Sequence, residues 1–433
     1  MSMFKIIIFG AAIVAALLAI LIFSGRIPIG DDGTIAPTGQ ISMWGTIPAN
    51  SVGPIIGDFN IEAQTYSVGY RYIQESDFSQ TLIEALANGA GPDMILAPHQ
   101  ILLEQASKIT PFPVASFSDK AFKDRYVDGA SILLTPQGSL GLPVAIEPMV
   151  LFFNRTILAK RGVATPPVYW DDVTTLAPTL TLLSPSQTLT ESAIALGAYG
   201  NVPHAKEIIM TFISQLGQFP VFKSTESNVY EVLANQPVAK DGDILPLTTA
   251  LRFYMQFVDT TKSTYTWNQF MQNAQDAFVA EKLALYIGYL GEGKVIRERN
   301  QKADIDMTYL PQIKGYDTFS TSMKLHAIAT LKSTKNMNAS FAAQAGLASS
   351  KWTSPLAANM GVVPAERSYF AQQGVSEIVR KSTLVARGWQ DIQPSKSNEL
   401  VRRMVEEVTS GKTSVTDAAL LFVTRLQSLY TGF

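Results

Sequence analysis

The 433-residue sequence contains no cysteine and only three histidines. Without cysteine the chain has no disulfides, thiolate-bound zinc, iron–sulfur cluster or thiol nucleophile, and no cysteine that could be lipidated. The histidines, His99, His204 and His326, are too scattered along the chain to suggest a set of metal ligands. We therefore expect neither a metal nor another cofactor.

Charge is also scarce, because Asp, Glu, Lys and Arg together make up 16% of the chain and the formal net charge is −2. Proteins that bind nucleic acid normally carry a basic excess, so we expect no nucleic-acid partner. The apolar content of 47% is too high for a disordered chain. At about 150 residues per domain, the length favours two or three folding units.

Common catalytic motifs are missing as well. The sequence has no Gly-x-Ser-x-Gly elbow. Residues 288–295 have the two glycines and the lysine of a phosphate-binding loop, but not the final Ser or Thr that would bind Mg²⁺. We predict that the protein is not an enzyme. A membrane-anchored glycan hydrolase stays open as a minor alternative, since its two carboxylates can lie at any separation in sequence.

One long apolar run lies at the N-terminus, where residues 6–23 read IIIFGAAIVAALLAILIF without a charge or a proline. A helix of this length nearly crosses the ~30 Å hydrocarbon core of a bilayer. We predict a retained single-pass anchor with a cytoplasmic stub over residues 1–26, followed by a Gly- and Pro-containing linker over residues 27–39. The alternative is a cleavable signal peptide, whose apolar region is usually shorter.

The rest of the chain alternates short apolar runs with helical periodicity, a pattern typical of an α/β protein. Strands are predicted at residues 41–44, 67–73, 94–97, 149–153 and 283–287. Asp77 is predicted to cap a helix that follows the second strand, and residues 341–352 are predicted to be helical. Ser414, with Asp417 three residues later, predicts the start of a final helix.

Several segments occur in an order that resembles the extracellular solute-binding proteins similar to maltose-binding protein. The resemblance covers residues 40–433 and rests on Trp44 after the first strand, Gly91-Pro-Asp93, Gly141-Leu-Pro-Val-Ala-Ile-Glu147, Leu151-Phe-Phe-Asn154, Pro166-Pro-Val-Tyr-Trp170-Asp-Asp, Leu285-Tyr-Ile-Gly288 and Gly361-Val-Val-Pro364. It implies two α/β lobes joined by a hinge, with solute enclosed in the cleft when the hinge closes. We assign residues 40–145 and 312–362 to lobe I, and residues 146–311 and 363–433 to lobe II.

Candidate ligand-binding residues are those placed where a cleft is expected, since ligands of α/β proteins collect at strand ends. Tyr289 follows a strand, and Glu147 lies in a crossing segment where related sugar binders place a carboxylate. Trp389 lies in a polar loop that contains glycine. The full set of candidates is Trp44, Tyr72, Glu75, Pro98, His99, Glu147, Tyr289 and Trp389. Pro98 and His99 are expected in a loop that faces the cleft.

The resemblance implies a binding component of an ABC-type importer that delivers a sugar or oligosaccharide to the permease. The predicted transmembrane anchor departs from the common family pattern, and with it we expect a membrane-anchored protein with a monomeric extracytoplasmic body. Two alternatives stay open. The same fold serves sensory or adhesion receptors that transport nothing. A cleft with carboxylates and aromatic side chains also suits a polyamine or a cationic peptide.

Overall fold

The computed structural model describes residues 38–186, 188–223, 229–238 and 244–431. The predicted anchor and almost all of the predicted linker lie outside these ranges. Within them, no helix is long and apolar enough to cross a bilayer.

Seventeen strands lie within the described ranges. They are β1 (Gly39–Gly45), β2 (Tyr66–Tyr72), β3 (Met94–Pro98), β4 (Ile109–Thr110), β5 (Phe112–Pro113), β6 (Leu134–Thr135), β7 (Gly138–Ser139), β8 (Leu142–Asn154), β9 (Leu182–Leu183), β10 (Leu189–Ile194), β11 (Val221–Lys223), β12 (Tyr230–Val232), β13 (Leu283–Tyr289), β14 (Ile305–Thr308), β15 (Thr321–Leu331), β16 (Val363–Pro364) and β17 (Ala386–Arg387).

Sixteen α-helices lie in the same part of the chain. They are α1 (Ala49–Ala63), α2 (Glu75–Ala87), α3 (His99–Glu104), α4 (Asp119–Arg125), α5 (Arg155–Lys160), α6 (Trp170–Leu180), α7 (Ala205–Gln215), α8 (Pro246–Met255), α9 (Ala274–Val279), α10 (Glu292–Arg299), α11 (Met337–Leu347), α12 (Ser350–Met360), α13 (Arg367–Phe370), α14 (Glu377–Val385), α15 (Pro394–Thr409) and α16 (Val415–Tyr430). Short 3₁₀ turns span Ala106–Lys108 and Asp128–Leu133.

The strands confirm the mixed α/β class. Eight of them form a continuous path in the order β2-β1-β3-β15-β8-β13-β10-β9. On one side β1 pairs in parallel with β2 and β3, and on the other β10 pairs in parallel with β13. Both parallel groups are joined through the antiparallel strands β15 and β8. The sheet therefore has two α/β halves that share two long central strands.

Strand β8 passes from one half to the other. Residues 142–148 pair with β15, whereas residues 149–153 pair with β13. All thirteen residues of β8 are buried, as expected for a strand covered on both faces. The next central strand, β15, pairs with β3 as well as with β8. These two crossings give the molecule its two-lobe arrangement.

Each half has its own helical cover. Helix α1 packs against β2 and α12, and these elements bury Val52, Ile56 and Phe59 together with Trp352. In the other half, α7 and α8 pack against each other, and α15 and α16 pack against α8. Burying such apolar side chains stabilises the folded state by about 25 cal/mol for each Å² of apolar surface that is removed from water.

Most predicted elements are confirmed, but three boundaries are wrong. The strand predicted at residues 149–153 is β8, which begins at Leu142. Helix α2 begins at Glu75, so Asp77 lies in its first turn and is not the cap. A carboxylate in that turn still complements the positive end of the helix dipole. The predicted helix at 341–352 is two helices, α11 and α12, which are separated at Ala348 and Ser349. At the last helix, Ser414 Oγ accepts a hydrogen bond from the Asp417 N–H at 3.1 Å, which confirms the predicted cap.

Candidate functional site

Two cavities lie between the halves of the sheet. Cavity A has a volume of about 590 Å³ and is lined by α2, α3, the start of α7 and the start of α15. Cavity B has a volume of about 630 Å³ and is lined by the turn after β1, by α10, and by side chains of β8 and β15. Each volume lies in the range typical of small-molecule sites.

Several residues that line the two cavities lie at the ends of strands. β1, β3 and β13 run into the cleft at their carboxyl ends, where Thr46, Gln100 and Tyr289 line the cavities. Strands β8 and β15 contribute Glu147, Lys324 and His326 from positions where they pair with each other. The cleft is therefore built where the two halves of the sheet meet, and its polar side chains stand on rigid strands.

Glu292 organises one wall of cavity B. Its carboxylate accepts hydrogen bonds from His204 Nε2 at 2.7 Å, Gln275 Nε2 at 2.7 Å and the Tyr289 N–H at 2.8 Å, and also from the Tyr286 hydroxyl. Burial alone would raise the pKa of Glu292, but His204 and these donors outweigh it and lower the pKa to about 2. The same carboxylate overcomes burial at His204 and raises the pKa of that imidazole.

His204 has a left-handed backbone, with φ of 60° and ψ of 23°, directly before α7. This conformation is uncommon outside glycine and costs on the order of 1 kcal/mol. The ring lies edge-on to Tyr289, with 4.7 Å between the ring centroids. Packing and the Glu292 bond thus hold His204 in a strained position inside the cleft.

A second buried pair joins the two crossing strands. His326 Nε2 lies 2.9 Å from Glu147 Oε1, and the Gly291 N–H donates to Glu147 Oε2 at 3.3 Å. Burial opposes the Glu147 charge, but the bond to His326 and the charges of His326 and Lys324 lower the pKa of Glu147. A Cβ at Gly291 would lie 2.9 Å from Glu147 Oε2, so glycine permits the close approach of α10 to β8.

Some polar atoms in the cleft have no hydrogen-bond partner among the described residues although they are buried. They are Thr46 Oγ1, Gln100 Oε1, Tyr289 Oη and His326 Nδ1. Tyr289 is only 2% exposed, and burial and nearby carboxylates raise the pKa of its hydroxyl well above the ordinary value. It therefore stays protonated and can donate. Buried polar groups without partners are costly, so a hydroxyl-bearing solute or water would stabilise these atoms.

Three of the predicted site residues line the cavities. Tyr289 and Glu75 line both, and Glu147 lines cavity B. The structure places the others outside these two cavities. Trp44 is buried under the Arg71 guanidinium, which lies 4.6 Å from the ring centroid, and Tyr72 is exposed. Trp389 is buried, and Lys206 Nζ lies 5.5 Å from its ring centroid.

The predicted loop at Pro98 and His99 is wrong. Pro98 is the last residue of β3, and His99 is the first of α3, so the strand runs into the helix without a loop. Both residues are buried. His99 Nδ1 accepts a hydrogen bond from the Leu325 N–H at 3.3 Å, which ties α3 to β15. Proline can end the strand here because its fixed φ also suits the residue before a helix.

Sequence reasoning missed most of the charged residues in the cleft. Glu292 lies in the segment that resembles a phosphate-binding loop, which the structure shows as the turn from β13 into α10. A carboxylate just after a strand end was the signal that could have identified it. No such signal exists for His204 or Lys324, which meet Tyr289 only through the fold.

We expect the free energy of unfolding to fall in mild acid because buried His99 resists protonation in the folded state. Burial, together with the nearby charges of His326, Lys324 and Lys206, lowers its pKa to about 3. Because the pKa in the folded state lies below the ordinary 6.5, the penalty for protonation is absent above that pH and grows as the pH falls. His99→Asn keeps an acceptor near Nδ1. When the pH is lowered from about 7.5 to about 5.5, the free energy of unfolding should fall by about 1.4 kcal/mol more in the wild type than in His99→Asn.

Urea unfolding of the wild type and of His99→Asn at the two pH values checks this prediction. Using the difference between the two proteins cancels the titration of all other groups, including His204. Equal pH dependence in both proteins would show that His99 does not titrate in this way.

Comparison with known proteins agrees with this two-lobe binding fold. Residues 49–351 match the family of bacterial extracellular solute-binding proteins, and the chain belongs to that family. A putative binding protein of Brucella abortus is 20% identical over 146 residues, which are 32% of this chain and 35% of that protein. The match thus spans about a third of the length of this curated relative.

Solved structures share the fold over most of the chain. The GacH receptor of Streptomyces glaucescens, solved unliganded and with acarbose, is 18% identical, with a TM-score of 0.71 over 92% of this chain and 99% of the receptor. A cyclo/maltodextrin-binding protein complexed with maltotetraose is 15% identical, with a TM-score of 0.72 over 93% and 100%. The cyclic α-maltosyl-1,6-maltose binding protein from Arthrobacter globiformis is 12% identical, with a TM-score of 0.73 over 91% and 99%. At these identities the likeness establishes the fold.

Proposed function

We propose that the protein captures a small sugar or short oligosaccharide in the cleft and delivers it to an ABC-type importer. The observation that carries the proposal is the lining of cavities A and B. It combines the aromatic rings of Tyr199 and Tyr289 with amides, hydroxyls and carboxylates, and includes buried polar atoms without partners. Sites with this mixture bind polyhydroxylated solutes through apolar ring faces and directed hydrogen bonds.

Capture by hinge closure fits the two crossing strands. We propose that residues 40–145 with 312–362 and residues 146–311 with 363–433 move as the two lobes, and that β8 and β15 bend between them. A ligand that contacts both lobes favours the closed state by its differential affinity for that state. The apolar run at residues 6–23 would anchor this extracytoplasmic body to the cell membrane beside the permease.

The charge of the cleft supports a second candidate, a cationic solute such as a polyamine. Six glutamates but only three lysines line the two cavities: Glu75, Glu104, Glu147, Glu207, Glu292 and Glu298, against Lys206, Lys294 and Lys324. Excess carboxylates favour a protonated amine. Several of them are already paired within the protein, which is why the sugar remains the first candidate.

Isothermal titration of the full chain with maltose, maltotriose, maltotetraose and spermidine tests the proposal. We expect heat with at least one sugar and a loss of affinity of at least about tenfold in Tyr289→Ala, since about 1.4 kcal/mol of ring contact and hydrogen bonding is removed. Tyr72→Ala is the matched control, because Tyr72 is exposed and lines neither cavity, and its affinity should stay within about twofold. Heat with spermidine alone would favour the second candidate. No heat with any sugar, or equal affinities in both variants, would contradict sugar binding at this cleft.

A further inference from the structure

Four residues line both cavities, and each contacts the next, so that together they form a row across the cleft. Glu75, at the start of α2, lies 3.3 Å from Lys324 Nζ on β15. The same Nζ lies 5.4 Å from the ring centroid of Tyr289, at the end of β13. The Tyr289 ring in turn contacts the His204 ring, with 4.7 Å between centroids. The chain of contacts thus runs from one half of the sheet to the other.

These contacts are too close for a ligand to pass between them. Non-bonded carbon atoms approach to about 3.5–4 Å, so a sugar ring inserted between two groups needs a gap of about 7 Å. None of the three separations reaches that value. Cavity A and cavity B are therefore separate compartments as long as the four residues stay in contact.

Each compartment has its own polar side chains beyond the shared residues. Cavity A is also lined by Ser79, Gln100 and Asn398, whereas cavity B is also lined by Thr46 and Asn359. Hydrogen-bonding groups on both sides mean that each compartment can hold a polar solute by itself. A longer solute would have to span both compartments and displace the contacts between them.

We propose that Glu75, Lys324, Tyr289 and His204 form a partition that confines the bound part of a solute to one compartment, so that additional sugar rings add no affinity. This inference rests on the proposed function and names the ligand size for the same site. Glu75 is the specificity-determining link. Its side chain is 48% exposed, so its ion pair with Lys324 is the most exposed contact of the partition. Exposed ion pairs are weak, which makes this the contact that is easiest to break. His204 at the other end is fixed by Glu292.

Removing Glu75 tests the partition. Affinities for maltose and maltotetraose are measured by titration for the full-length wild type, for Glu75→Ala and for Glu62→Ala. Glu62→Ala is the matched control, because Glu62 pairs with Lys351 on the surface of α1 and lines neither cavity. We expect the wild type and the control to bind the two sugars within about threefold of each other. Glu75→Ala should favour maltotetraose by at least about tenfold, because the joined cavity accepts the additional rings.

An unchanged ratio of the two affinities in Glu75→Ala would overturn the partition, as would a wild type that already favours maltotetraose tenfold. A readout without ligand keeps the test independent of the sugar. Tyr289 is 2% exposed and lies under Lys324, so hydroxyl-radical labelling of Tyr289 should rise several-fold in Lys324→Ala and also rise in Glu75→Ala. Equal labelling in all proteins would overturn the partition. If no sugar binds any of them, the proposed sugar specificity fails, and the labelling still decides whether the partition exists.

Discussion

Asp391→Ala is expected to destabilise the folded protein by about 3–5 kcal/mol, the usual cost of removing one partner of a buried ion pair. Asp391 Oδ2 lies 2.7 Å from Lys206 Nζ, and the two side chains are 1% and 3% exposed. Burial opposes the charge of Lys206, but the carboxylates of Asp391 and Glu207 outweigh it and raise its pKa. Without Asp391, the ammonium would keep Glu207 at 3.6 Å and the Ser397 hydroxyl at 3.3 Å.

Two further variants test whether the loss comes from a buried charge that has lost its nearest partner. Lys206→Met combined with Asp391→Leu removes both charges, so the double variant should lose less stability than Asp391→Ala. Asp124→Ala breaks an exposed pair with Lys120 on one helix and should cost less than about 1 kcal/mol. Urea unfolding measures all three. A double variant less stable than Asp391→Ala would contradict the expected role of the pair.

Glu292→Gln is expected to cost about 3 kcal/mol at neutral pH, because it breaks the ion pair with His204 inside the cleft, and to weaken solute binding. The carboxylate accepts bonds from His204, Gln275, Tyr286 and the Tyr289 backbone, whereas an amide would turn its own N–H groups toward some of these donors. The strained backbone of His204 would then lose the bond that helps to hold it. Glu298→Gln, on the same helix but exposed, is the control for stability only, since Glu298 also lines cavity B, and it should change the free energy of unfolding by less than about 0.5 kcal/mol.

The pH dependence gives this prediction a sign. Because the folded-state pKa of Glu292 is about 2, below the ordinary 4.5, its contribution is complete above about pH 4.5 and is lost as the pH falls toward 2. The Glu292 charge should therefore contribute about 2 kcal/mol less to the free energy of unfolding at about pH 3 than at about pH 6. Because the substitution would also shift the titration of His204, the carboxyl ¹³C chemical shift of Glu292 in the wild type, followed against pH by NMR, measures the pKa directly. A titration midpoint near the ordinary 4.5 would contradict this prediction.

Local pattern was enough to predict much of the fold. Strands β3 and β13 are uninterrupted apolar runs, and the buried strands of the structure occur at those positions. Helix α16 begins at the predicted Ser414 cap because the capping bond is local. The boundary between α11 and α12 was not predicted, because alanine favours helix at every position of this segment. Only the structure shows that α12 is a separate helix, which packs against α1.

The candidate site was predicted only in part, for a physical reason. Tyr289 follows a strand directly, so a rule about strand ends places it in the cleft. Its contacts with His204 and Lys324, however, join elements that are distant in sequence, and the left-handed backbone of His204 has no local signature. Trp44 and Trp389 were predicted to bind ligand, yet neither lines the two cavities, and their rings pack against Arg71 and Lys206 instead.

Solute-dependent closure of the cleft is tested most directly by a distance measurement between the two lobes. Because the chain has no cysteine, spin labels attach only at introduced positions, for example at Asp58→Cys on α1 and Lys160→Cys on α5, which are exposed in the two halves. The proposed function predicts that saturating maltose shifts the distance distribution measured by double electron–electron resonance on the full chain, and that Tyr289→Ala weakens this response. A distribution unchanged by maltose and by every longer sugar of the titration series would contradict capture by hinge closure.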